Sequence, residues 1–490
     1  MGLYKKLFKQ TAIYGLATVI PRMFSFLLVP LYTGLLPQAE YGKVSIIFAW
    51  MIFFNVILAY GMETAFFRFY NNKDESKTSV VETTTVSIFW TTILFIFIAL
   101  LFRNSLARWS GVDTQYITYS IWILALDALV IVPFSKLRAS QRPKFYAIIK
   151  IGNVLVNLSF NLFFLKYLPS ISLSQPDSFL SSVYIENFQI GYIFLANIIA
   201  SFLTFVVLFP DYFTIKWKFD YELWKRMMRY GLPIMIAGIA FAINEQFDKI
   251  LLGWLLPANI AAEQVGVYSA CYKLGLFMVL FRTAYTLGIE PFFFSHASNE
   301  NAQQTYATIT KYFVIFGSFI LLSVIVFADL LKQVMIPNSS YWEAMKVVPL
   351  IILANFFLGI YTNLSVWYKL IDKTYVGAYI SIVGAIVTLV LNYVLIPKYS
   401  YYGSAVATIS AYGSMMFISY YLGNKYYPIP YDKKKIMGYL TLSIGFSGIS
   451  FYGFRENYYI GILLLAVFMG FIYYNEKETL LRILKRPNKN

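Results

Sequence analysis

The chain is predicted to be an all-α polytopic membrane protein: about fourteen transmembrane helices, arranged as two parallel pseudo-symmetric six-helix halves plus two C-terminal helices. Composition, the length of its apolar runs and an internal repeat carry that prediction. Of its 490 residues, 59% are hydrophobic and 13% charged, with a mean hydropathy of +0.62. A soluble domain carries about twice that charged share. The apolar runs reach about 20 residues or more, enough at about 1.5 Å per residue to cross a hydrocarbon core of roughly 30 Å. They do not alternate as barrel strands would.

The spans fall at 10–36, 43–67, 80–102, 116–138, 145–168, 188–210, 231–256, 266–290, 305–331, 347–368, 375–396, 402–423, 436–454 and 457–474. The first has no small-residue cleavage pattern after it and reads as retained rather than as a signal peptide. The formal net charge of +16 could mean nucleic acid, but the cations cluster in alternate short loops. Those loops hold Lys5, Lys6 and Lys9, then Lys73 and Lys77, then Lys136 to Lys144, then Lys216 to Arg229, then Lys433 to Lys435. That is the positive-inside pattern, which places both termini in the cytoplasm and excludes a nucleic-acid partner in favour of membrane lipids. Cys271 is the single cysteine, so no disulfide forms within the chain.

No loop is long enough to hold a folded domain. In the stretch 211–230, Phe219, Leu223, Met227 and Tyr230 recur at helical spacing while Glu222, Lys225, Arg226 and Arg229 take other faces, which predicts an amphipathic helix lying in the interface. The opening stretch recurs about 216 residues later, where Tyr230, Gly231 and Leu232 repeat Tyr14, Gly15 and Leu16. A second pair joins residues 142–169 to 372–399, each with an asparagine near its outer end, Asn161 and Asn392. Six spans per half make the repeats parallel. The expected organisation is therefore an N-terminal six-helix lobe at 1–210, a cytoplasmic amphipathic linker at 211–230, a C-terminal six-helix lobe at 231–424, and two extra helices with a short basic tail at 425–490.

The blocks IPRMFSFLLVPLYTGLLPQAEYG (20–42), YGLPIMIAGIAFAINEQFDKILLG (230–253) followed by VGVYSACYKL (265–274), and NYVLIPKYSYYGSAVAT (392–408) resemble the Wzx-type polysaccharide flippases. These belong to the multidrug/oligosaccharidyl-lipid/polysaccharide exporter superfamily, and the resemblance covers essentially the whole chain. It implies a V-shaped pair of six-helix lobes around a central cavity, working by alternating access in the bacterial cytoplasmic (inner) membrane. The implied cargo is a polyprenyl-pyrophosphate-linked oligosaccharide carried from the cytoplasmic to the outer leaflet, with polysaccharide polymerase and glycosyltransferase as partners. The family's usual Asp-Arg pair in span seven appears here as Asp248 and Lys249, which keeps the charge but loses the guanidinium fork. A lipid II flippase and a cation-coupled multidrug exporter of the same superfamily are the alternative readings.

Charged residues well inside spans include Arg22, Asp127, Glu245, Asp248, Lys249, Lys273 and Arg282. Facing lipid, each would cost roughly 2.5–3.5 kcal/mol, on the order of 20 kcal/mol together. They must face protein or a hydrated cavity. Arg22, Lys249, Lys273 and Arg282 are the candidate contacts for an anionic cargo, because cations grip phosphate oxygens. Arg22 could equally form a structural pair with Asp127. Asp127, Glu245 and Asp248 are the candidate sites for a coupling H+ or Na+; for the last two, the alternative is a self-neutralising cluster with Lys249. Lys273 and Arg282 are nine residues apart, about 180° around a regular helix, so a bend near Gly275 is needed if both face one cavity. Pro21, Pro30 and Pro233 are candidate bending points for alternating access.

An enzyme reading fails. His296 is the single histidine, and neither a metal-ligand cluster nor a Gly-rich phosphate loop appears, so no cofactor is expected.

Overall fold

The computed structural model describes residues 3–295, 301–371 and 373–485, and its only regular structure among them is helical. His296 and Asp372 lie outside the described residues. Twelve helical stretches are long and apolar enough to cross a membrane. One of these, Thr374–Tyr426, is broken at Ser400 (φ 50°, ψ −137°), three residues after Pro397, and so makes two crossings. A further crossing, Lys433–Gly448 continued by a π turn to Gly453, is shortened by that turn. With these two, the count matches the fourteen expected spans. Packing gathers the chain into two units: Met1–Ser269 with Ser381–Ser404, and Ala270–Ile380 with Ala405–Asn490.

The first unit begins with α1 (Leu3–Leu35), which runs unbroken through Pro21 and Pro30. In apolar surroundings, side-chain hydroxyls help to satisfy the backbone near such prolines; Ser25 donates to the Pro21 carbonyl at 2.9 Å and Thr33 to the Val29 carbonyl at 2.9 Å. Next come α2 (Gln38–Ala59) and α3 (Met62–Tyr70), bent at Tyr60 and Gly61, whose φ values of 29° and 74° leave the right-handed region. They are followed by α4 (Lys77–Leu101), α5 (Arg103–Ser110), α6 (Thr114–Leu129), α7 (Ile131–Ala139) and α8 (Pro143–Leu162). A π turn leads from α8 into α9 (Leu168–Ser174), and α10 (Phe179–Val183), α11 (Gln189–Leu208) and α12 (Pro210–Phe213) complete the run to the seventh span.

Residues 211–230 do not form an interfacial helix of their own. After α12 the chain is irregular to Asp220, then α13 (Tyr221–Leu255) runs 35 residues through Gly231 and Pro233. Asp220 caps it, accepting from the Leu223 N–H at 3.0 Å; such a cap satisfies an otherwise orphaned donor. The middle of the apolar stripe expected to lie on lipid is instead buried in protein: Leu223 and Met227 pack with Met62, Phe66, Val80 and Ile88, and Tyr230 packs partly against them, while Phe219 is exposed. Glu82 and Thr83 of α4 hold the preceding turn by accepting the backbone N–H groups of Lys216 and Asp220. Periodicity correctly marked a two-faced helix; it could not tell protein from membrane as the cover for its apolar face.

The two repeats meet in one reciprocal contact inside this unit. At the start of α2, a Cβ added to Gly42 would collide with the Ala262 carbonyl and the Gly266 nitrogen; one added to Gly266 would collide with the Gln38 carbonyl and crowd the Gly42 nitrogen. Both partners of Gly266 lie on α2, and both partners of Gly42 lie on α14 (Ala258–Tyr272). Each glycine therefore meets the other and the residue four before it, as two copies related by a twofold axis would. Close backbone approach of this kind is how helices pack in a membrane, where no hydrophobic effect drives them together.

In the second unit the eighth span continues through a 3₁₀ turn, Lys273–Gly275, into α15 (Leu276–Ser295). Then follow α16 (Ala302–Val326), α17 (Ala328–Met335), α18 (Val348–Leu364), α19 (Val366–Leu370) and α20 (Thr374–Tyr426), whose second limb belongs here. The last two spans, α21 (Lys433–Gly448) and α22 (Tyr458–Lys485), are tied to α16 and α17 by charge at both ends. At one end Glu476, 2% exposed, takes Lys311 at 2.7 Å, Lys435 at 2.9 Å and the Tyr439 hydroxyl at 3.1 Å. At the other, Asp329 takes Lys332 at 2.5 Å and a two-point grip from Arg455 at 2.9 and 3.0 Å.

Two expectations follow. Gly42→Ala should lower thermal stability by about 1–3 kcal/mol, the usual cost of overpacking, measured by melting of the purified protein. Gly445→Ala, where an added Cβ meets nothing within 4 Å, should not. The second concerns acid. Burial raises the Asp329 pKa, but the hydrogen bonds and charges of Arg455 and Lys332 outweigh it and hold the carboxyl below its ordinary value. A folded-state pKa below the unfolded one adds stability that is complete above about pH 4 and is lost as pH falls through the depressed value. Asp329→Asn should therefore melt lower than wild type at neutral pH, and the gap should close in acid.

Candidate functional site

Two groups of intramembrane charge can be built from the first unit. The first lies on α13. Asp248 is 1% exposed and Lys249 7%, and the Lys249 ammonium donates to Asp248 Oδ1 at 2.9 Å. The Lys249 backbone N–H donates to the same oxygen at 2.8 Å, and the Tyr268 hydroxyl of α14 donates to Oδ2 at 2.8 Å. Every carboxylate oxygen is thus engaged. Helical spacing also puts Lys249 on one face with Glu245. One turn earlier, Asn244 binds the first limb of α20, donating to the Ser381 carbonyl at 3.1 Å and accepting from Thr388 at 2.9 Å. This face of α13 is closed by complementary groups.

The second group surrounds Asp127 on α6. Its Oδ1 accepts from Ser201 of α11 at 2.8 Å, and it opens onto a polar cavity of about 420 Å³ lined also by Asn55, Glu63, Tyr146, Lys150, Asn153 and Thr204. Lys150 comes from α8, and its ammonium stands 4.2 Å over the Phe134 ring. It is close enough to act electrostatically on Asp127. Across the cavity Glu63 takes Arg138 at 2.6 Å. A second hollow of about 380 Å³, walled by Trp50, Phe54, Phe95, Phe102 and Trp109, carries no charged side chain.

Lys150 is the site residue that the sequence reading missed. It lies inside the span expected at 145–168, six residues beyond Lys144. Its position within that apolar run was the available signal.

The other candidates are placed as follows. Arg22 lies on α1 between the two prolines with its side chain exposed. Glu245 is half-buried on α13. Pro233 lies within α13, near where Gly61 abuts the Gly231 backbone. Lys273 and Arg282 belong to the second unit, both half-buried. The 3₁₀ turn falls where a bend was required: three residues at about 120° rather than about 100° each rotate the following helix by about 60°, bringing the two cations to about 120° apart. The Arg282 side chain passes beside Gly359 of α18. No group of three His, Cys, Asp or Glu able to hold a metal ion occurs among the described residues.

The Asp248–Lys249 geometry sets an expectation. Removing one partner of a buried pair leaves the other uncompensated, at about 3–5 kcal/mol, whereas replacing both by apolar or neutral groups is far milder. Melting temperatures of Asp248→Asn, Lys249→Met and the double variant should rank accordingly, with the double variant nearest wild type.

The chain matches the polysaccharide biosynthesis protein family over residues 7–283. It is 21% identical to an uncharacterised membrane protein of Methanocaldococcus jannaschii, over 95% of this chain and 94% of that one. Its fold is similar to that of the lipid II flippase MurJ in an inward closed conformation, with a TM-score of 0.72 at 13% identity over 95% of this chain and 99% of the other. It is also similar to an inward-facing multidrug resistance MATE family transporter of the MOP superfamily, with a TM-score of 0.63 at 12% identity over 88% and 96% of the two chains. The chain belongs to the polysaccharide biosynthesis protein family, and its fold is that of the flippase and transporter structures just described.

Proposed function

We propose that this transporter carries a polyprenyl-pyrophosphate-linked oligosaccharide from the cytoplasmic to the outer leaflet of the inner membrane, with both termini cytoplasmic, by alternating access coupled to an ion. The observation that carries this reading is membership of a polysaccharide biosynthesis family by a chain folded like a lipid-linked flippase. The intramembrane cations support it. A pyrophosphate needs positive partners in the membrane, and Arg22, Lys273 and Arg282 are the cations proposed for that contact. Ion exchange is assigned to Asp127 rather than Asp248, because Asp127 opens onto a cavity while both oxygens of Asp248 are already bonded. Pro21 and Pro30 within α1 and Pro233 within α13 are the proposed bending points. The likeness to MurJ keeps lipid II as the second cargo reading.

Proteoliposomes offered defined polyprenyl-pyrophosphoryl saccharides test the proposal. Wild type should move them across the bilayer, and Arg22→Ala or Arg282→Ala should cut the rate at least tenfold while inserting normally. Movement of lipid II alone would assign the second cargo; uptake of a cationic dye without glycolipid movement would overturn the reading.

A further inference from the structure

The Asp127 cavity also discriminates between the two candidate ions. We propose that the ion exchanged there is a proton, and that the positive charge of Lys150 in the same cavity disfavours Na+. This rests on the coupling just proposed and names its ion.

Every element packed around the carboxylate bears on the argument. α8 presents Lys150 and Tyr146; α3 presents Glu63, which Arg138 of α7 already neutralises; α2 presents Asn55; α11 presents Ser201 and Thr204. With Glu63 and Arg138 cancelling, the remaining fixed charges are one carboxylate and one ammonium. A sodium ion would have to enter beside that ammonium, and like charges repel strongly away from bulk water. It would also need a shell of oxygen ligands in exchange for its water, and the oxygens here are partly spent. Thr204 Oγ1 accepts from the Asn153 amide at 2.9 Å and gives its own proton to the Ala200 carbonyl at 2.8 Å. Asp127 Oδ1 already takes the Ser201 hydroxyl.

A proton needs neither volume nor shell. It adds to a carboxylate oxygen of Asp127 from water on one side, giving a neutral carboxylic acid, and leaves to water on the other. Lys150 stays an ammonium throughout, so the cavity alternates between no net charge and one positive charge. In the protonated state Lys150 has lost its counter-charge, which is a difference between states that an anionic cargo can use.

Infrared difference spectroscopy on the full chain in cargo-free proteoliposomes tests this apart from flipping. An acid-minus-neutral spectrum should contain a protonated-carboxyl band that Asp127→Asn removes. Exchanging choline for Na+ at neutral pH should leave the carboxylate bands of wild type and of Lys150→Arg unchanged. Lys150→Met removes the competing positive charge from the cavity and should make the Asp127 band respond to Na+. A Na+ response in wild type, or an acid spectrum that Asp127→Asn does not alter, overturns the proposal, and wild type alone decides the first point if Lys150→Met fails to fold. Failure of glycolipid movement in the separate flipping assay would overturn the cargo reading and leave these spectra as they are.

Discussion

The structure depends on one constraint: an ionised side chain drawn out of water must be neutralised or hydrated by the protein itself. The chain meets it differently in different places, and its helix packing follows. Asp248 and Lys249 are adjacent on α13 and close on each other, with Tyr268 bringing α14 onto the free oxygen. Glu476 is a buried acid between lysines from two other helices, which fixes α22 against α16 and α21. Asp329 does the same at the opposite end through Arg455. Lipid supplies no hydrophobic drive between helices, so a partnered charge specifies which faces meet. The two extra spans are thereby fastened into the second unit rather than appended to it.

The internal repeat is obeyed at the backbone and broken in the side chains. Gly42 and Gly266 make mirror contacts, because two helices approaching this closely exclude any side chain from both copies. Asn161 and Asn392, at matching positions, diverge. Asn161 accepts from Tyr32 of α1 at 2.8 Å, whereas the Asn392 carbonyl oxygen is buried without a partner and only its amide is engaged, at 2.7 Å to Thr388. Asp127 and Lys150 likewise belong to the first repeat alone. A duplicated scaffold thus keeps its backbone contacts matched while its polar side chains diverge between the copies.

Much of the fold was legible in the sequence because bilayer thickness turns hydropathy directly into helix length. Span number, the break after Pro397 and the bend beside Gly275 all follow from residues whose backbone preferences are local. What was not legible was partner choice. The stripe Leu223 and Met227 looked the same whether lipid or Met62 and Phe66 covered it. Spacing related Lys249 to Glu245 and did not show its bond to the adjacent Asp248. Lys150 was visible as a letter, but its meaning required knowing that α8 passes α6 at the level of Asp127. Those are tertiary facts, and periodicity within one helix does not contain them.

The contrast between the two acid–base groups separates structure from exchange. Asp248 has both oxygens bonded, one of them to a backbone N–H, so changing its charge would break several contacts at once and weaken the bundle. Asp127 has one hydroxyl partner and a cavity, so a change of charge there can be met by water and by Lys150 without unpacking a helix. A carrier needs a group whose two charge states are both tolerable and differ in what they bind. Within the first unit's intramembrane charges, the Asp127 cavity has that property by its geometry: a carboxylate that solvent can reach, a fixed cation beside it, and walls whose other charges cancel.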